Sequence, residues 1–82
     1  MYKHITYGRL RDMMVSLGFQ EERRSYGVAL KYPKSDLIFL FRPYQETDEV
    51  KPAEVYNIRE LLDARRLLDA GAFDGLLLKA PA

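Results

Sequence analysis

Leu10, Met13, Met14 and Leu17 repeat at the i, i+3, i+4, i+7 spacing of one helix face. Thr6 suits the cap that opens such a helix. Gly18 suits its end, because glycine takes a positive φ without a Cβ clash. The spacing predicts a helix over about residues 7–17. Arg9, Asp12 and Ser16 fall off the apolar stripe and are expected to face water. The period then shortens to two. Residues 19–23 are short with a polar centre and suit an edge strand. Over residues 26–32, Val28, Leu30 and Tyr32 share one face while Gly27, Ala29 and Lys31 share the other. Pro33, Lys34, Ser35 and Asp36 read as a turn. Residues 37–41 are apolar throughout, at a length that favours strand over helix. There Leu37, Phe39 and Phe41 fill one face, and Ile38 and Leu40 point to the other. In a two-layer fold that second face meets water unless a partner chain or the C-terminal tail covers it.

A polar connection over residues 42–52 carries Pro43 and Pro52. A second main helix starts near Pro52, where a missing N–H costs nothing, with Glu54 at its positive end. Val55, Ile58, Leu61, Leu62 and Ala64 or Arg65 make its core stripe. Two endings fit. One continues the helix to Ala70 and stops it at Gly71. The other stops it near Arg65, lets Asp69 cap a short final helix, and packs Phe73, Leu76 and Leu77 as a lid, with Leu67 and Leu68 filling the junction. The second is favoured, because the C-terminal segment is too apolar to hang free. The expectation is one domain over residues 1–82, with a helical extension over 67–82. Its order is helix, three antiparallel strands, helix. That is an α+β two-layer sandwich of the double-stranded-RNA-binding-domain-like α-β-β-β-α kind with a short extra C-terminal helix.

Composition narrows the function classes. The 82 residues are 48% apolar and 30% charged, as in ordinary globular chains. Cysteine is absent, which removes disulfides, thiol chemistry and most structural zinc sites. No apolar run is long enough to span a bilayer, and no signal-peptide apolar region is seen, so a cytoplasmic location is expected. The net charge of +1 favours neither nucleic acid nor membrane. Its distribution is uneven. Residues 1–42 carry eight basic and four acidic side chains, and residues 43–82 carry five basic and eight acidic. A basic patch can steer a polyanion even on a nearly neutral chain.

Candidate chemistry is sparse. His4 has no second histidine for company, and no phosphate-binding glycine loop is present. No metal or cofactor is expected. Asp63, Asp69 and Asp74 read as capping and solvated carboxylates. The stretch that most resembles a site is Arg23-Arg24-Ser25-Tyr26, at the turn into the second strand. Its guanidiniums and hydroxyl suit phosphate contacts, and the tyrosine ring suits stacking on a base. Lys31 and Arg42 would extend the patch. The competing account is a polar hairpin turn with charges that protect an edge.

The opening helix ending Leu17-Gly18-Phe19, the turn Arg24-Ser25, the strand-turn-strand unit and the polar loop into Val50-Lys51-Pro52 together resemble the HicA-like (YcfA-like) messenger-RNA interferase toxins. The resemblance covers roughly residues 9–66. In that family a Gly-Ser-His signature opens the second strand, and its histidine is catalytic. Here Arg24 stands at the glycine position, Ser25 matches the serine, and Tyr26 falls where the histidine is expected. Histidine exchanges protons near pH 7, whereas a phenol with a reference pKa near 10 does so poorly. The resemblance therefore implies a divergent member without the nuclease centre. Such a member would keep RNA binding, or only the surface on which the family's toxins meet an antitoxin protein.

Two readings of different class follow, and a weakly active ribonuclease is a third. As an RNA-binding module, Arg23, Arg24, Ser25, Tyr26, Lys31 and Arg42 should converge on one surface. As a protein-interaction module, in a homodimer or an antitoxin-like pairing, the chain should expose an apolar patch at Ile38 and Leu40.

Overall fold

Thr6 opens the first helix as the spacing predicts: its extended backbone turns into α1 (Tyr7–Ser16), and its side chain accepts from the Arg9 N–H. The neighbouring free N–H groups at this end are met from far along the chain. Tyr7 and Gly8 donate to the carbonyls of Asp48 and Glu46 at 2.8 and 3.0 Å, and Thr6 bridges Glu49. The polar connection is thus a cap on α1, and it brings Glu46, Asp48 and Glu49 to the positive end of the helix. At the other end Gly18 adopts φ 107°. Its N–H meets the Val15 carbonyl while the Phe19 N–H reaches back to Met14. This is a Schellman close, which needs the left-handed position that glycine fills most easily.

A computed structural model describes residues 4–78. The last four residues of the expected extension, 79–82, lie outside the described residues. Three strands follow α1: β1 (Gln20–Arg24), β2 (Gly27–Lys31) and β3 (Ile38–Phe41). They form an antiparallel meander in the order β1-β2-β3. The register sets Glu21, Leu30 and Phe39 in one row, and Arg23, Val28 and Phe41 in the next. Directly opposed residues share a face, so both rows lie on the inner side, where Val28, Leu30, Phe39 and Phe41 are buried. At Gly27 a Cβ would lie 2.5 Å from the Phe41 carbonyl oxygen, so the close approach of β2 and β3 there requires glycine.

Pro52 stands at the first position of α2 (Pro52–Ala64), with Glu54 in its first turn. Val55, Ile58 and Leu62 are buried, and Leu61 is half-buried at the flank. The helix stops at Arg65 and a separate α3 (Ala70–Leu78) follows, as the favoured ending predicts. Asp69 accepts from the Ala72 N–H at 2.8 Å to cap it. Phe73 and Leu77 enter the core, and Leu67 and Leu68 pack beside it. Three expectations need correction. Ala64 and Arg65 are exposed and add nothing to the core stripe, because α2 ends there. Leu76 is exposed, because α3 presents only the narrow Phe73–Leu77 stripe. Arg9 is only partly exposed: α3 packs across α1, and the Arg9 guanidinium donates to the Leu77 carbonyl. The result is one α+β unit in which the helices and the inner face of the sheet share a single apolar cluster. Burial of each large side chain there contributes about 1.5–3 kcal/mol.

Candidate functional site

The predicted basic patch divides between the two faces of the sheet. Adjacent residues of a strand point to opposite sides, and β1 separates Arg23 from Arg24 in this way. Arg23 lies on the inner side, in the Val28–Phe41 row. Its guanidinium sits 5.8 Å from the Tyr7 ring centre and 3.8 Å from Glu21. Glu21 accepts from the Tyr7 hydroxyl at 2.8 Å. Burial, helped by that carboxylate, pushes the Tyr7 phenol well above the ordinary tyrosine range. Arg11 completes the cluster, bonded to Glu46 at 2.6 Å and Asp12 at 3.0 Å, and these partners raise its pKa further. Arg23 thus belongs to a network that ties β1 to α1. It does not converge with Arg24 and Lys31, as the RNA-binding reading required.

Arg24 and Lys31 lie on the open face, and one carboxylate serves both. Glu22 stands 3.8 Å from the Arg24 guanidinium and 3.4 Å from the Lys31 ammonium. The third strand contributes only apolar side chains to this face. Ala29 pairs with Leu40, and Lys31 with Ile38. Leu40 is 75% exposed and Ile38 44%, while Tyr26, at the β1–β2 turn, is 80% exposed. Ala29 is too small to fill the space between its neighbours. A shallow groove of about 370 Å³ results, lined by Glu22, Arg24, Tyr26, Ala29, Ile38 and Leu40 among others. The two candidate sets therefore overlap: Arg24, Tyr26 and Lys31 share one face with Ile38 and Leu40. Ser25 is exposed at the same turn. Arg42 lies just past β3, its guanidinium 6.0 Å from the Tyr44 ring centre. Alternation in QEERR was signal enough to separate Arg23 from Arg24. The pairing of Glu22 with both cations was not readable locally, since Lys31 lies nine residues away.

A second groove, of about 260 Å³, runs between β3 and α2 and is lined by Ile38, Leu40, Glu54, Asn57 and Leu61 among others. Glu54 accepts from the Tyr44 hydroxyl through Oε1, while its buried Oε2 meets no partner among the described residues. A third depression lies at the α2–α3 turn, and its carboxylates are already engaged. Asp63 accepts from the Ala70 N–H and Asp69 caps α3. Asp74 pairs with Arg59 at 3.1 Å. His4 lies 2.9 Å from Glu49 at the surface. Among the described residues no group of three or more His, Asp or Glu is placed to hold a metal ion, and no helix is long and apolar enough to cross a membrane.

Comparison with protein-family models, with curated proteins and with solved structures finds no match to this chain.

Proposed function

We propose that this chain is a non-catalytic protein-interaction module that works through the open face of its sheet. One observation carries the reading: Leu40 and Ile38 alternate with core residues along β3 yet present their side chains to solvent beside Tyr26. Contiguous apolar surface of this kind marks association sites. Glu22 offsets one of the two neighbouring positive charges, which weakens the attraction of this face for a polyanion. The resemblance to HicA-like toxins, which pair with an antitoxin protein, supports a partner-binding role. Tyr26 stands where that family has its histidine, and no carboxylate among the described residues hydrogen-bonds its hydroxyl to serve as a base.

RNA binding is the second reading, favoured by the exposed Tyr26 ring beside Arg24, an arrangement that suits stacking on an unpaired base. One paired experiment separates the two. Fluorescence anisotropy with labelled single- and double-stranded RNA should show no saturable binding at physiological salt. Affinity capture should retain a protein that Leu40→Lys releases. Salt-sensitive RNA binding abolished by replacing Arg24 and Tyr26 with Ala would overturn the protein reading in favour of RNA.

A further inference from the structure

The two edges of the sheet differ in how they are protected. β1 carries Glu21, Glu22, Arg23 and Arg24, and charge on an edge strand blocks pairing with another chain. β3 reads Ile-Phe-Leu-Phe, with no charge, proline or bulge within it. The Tyr32 N–H donates to the Leu37 carbonyl, so that pair is bonded across β2 and β3. Bonded pairs recur every second residue, which turns the backbone groups of Phe39 and Phe41 toward β2 and those of Ile38 and Leu40 outward. Among the described residues no hydrogen bond meets these outward groups. Beside them lies the β3–α2 groove, which leaves the backbone edge accessible from the helix side.

We infer that two copies of this chain join along β3, antiparallel about a two-fold axis at Phe39, to make one continuous six-stranded sheet. The inference rests on the protein-interaction reading and names its partner. The register follows from the side chains. A two-fold at Phe39 sets Ile38 opposite Leu40 of the second copy, and these are the residues whose backbone groups point outward. Their side chains then form a stripe of four aliphatic groups on the open face. The same operation sets Asp36 opposite Arg42 of the second copy, twice. Asp36 and Arg42 are exposed, and neither has an ion-pair partner among the described residues. A two-fold at Leu40 would instead set Ile38 against Arg42. The strand is therefore complementary to itself in apolar contact, backbone bonding and charge in one register, as an isologous interface requires.

Sedimentation of the full chain over a wide concentration range tests this. The wild type should pass from the 9.6 kDa monomer to twice that mass. Asp36→Arg and Arg42→Asp should each weaken the dimer about tenfold, because each sets like charges opposite one another at both ends of the strand pair. An equimolar mixture of the two variants should recover the wild-type affinity, since both facing pairs are again of opposite sign. A merely structural role for either residue could not produce that recovery. If a reversal variant fails to fold, Leu40→Lys replaces it and should leave the chain monomeric. A wild type that stays monomeric at every concentration overturns the dimer but leaves the wider interaction reading, which the capture experiment tests separately. A dimer indifferent to both reversals, or a mixture without recovery, overturns the β3 register.

Discussion

β1 and β3 flank the same central strand and face the same solvent, yet they handle an exposed edge in opposite ways. β1 places charge on both sides. Glu22 and Arg24 lie on the open face, and Glu21 and Arg23 lie on the inner face, where Tyr7 and Arg11 receive them. Its hold on the molecule is largely polar and runs to α1. β3 has no polar side chain at all, and its hold is the burial of Phe39 and Phe41. The difference teaches that an edge strand can be anchored by charge, which also repels other chains, or by apolar packing, which leaves the edge open to them.

Three substitutions break or sharpen this contrast. The largest effect is expected for Phe41→Ala, which removes the anchor of β3 and should cost about 3–5 kcal/mol in urea denaturation. A cost near that of a surface change would mean that β3 is held by something other than its inner face. Tyr7→Phe unties β1 from α1 and should cost about 1 kcal/mol. It should also change the alkaline limb of stability. The raised Tyr7 pKa means that the folded chain keeps a proton that the unfolded chain releases above about pH 10. Its contribution is complete below that pH and is lost as pH rises, at up to about 1.4 kcal/mol per unit. The Phe variant should lack this slope, as denaturation midpoints measured on both chains would show. Leu40→Ala is the smallest. Unfolding free energy should move by no more than about 0.5 kcal/mol, while dimer affinity should fall. A stability loss comparable to that of Phe41→Ala would mean that Leu40 is core, and the open face would lose its claim.

Much of the fold was legible because its signals are local. The two helix ends show where legibility stops. Gly18 announces the close of α1, and the helix ends there. The end of α2 uses the same hydrogen bonds, with Arg66 N–H to Asp63 and Leu67 N–H to Leu62, but Arg66 takes the left-handed position at φ 58°. An arginine carries no such announcement, so two endings stayed open until packing of Leu67, Leu68 and Phe73 decided between them. The site divides in the same way. The outward position of Ile38 and Leu40 was readable from alternation. The separation of Arg23 from Arg24 was equally readable but yields a patch only half as basic as the run of residues suggests.

By itself, then, the sequence determined the element order, the meander, and which face of β3 is apolar on the outside. These follow from periods of two and about 3.6 and from the φ preferences of single residues. Only the tertiary structure decided that the Glu46 and Asp48 carbonyls cap α1, that Glu22 serves both Arg24 and Lys31, and that Arg9 closes the end of α3. Each joins groups distant along the chain, or depends on which of several carboxylates lies nearest a cation. Local pattern carries no information about that choice, because it is made by the packing of the whole core.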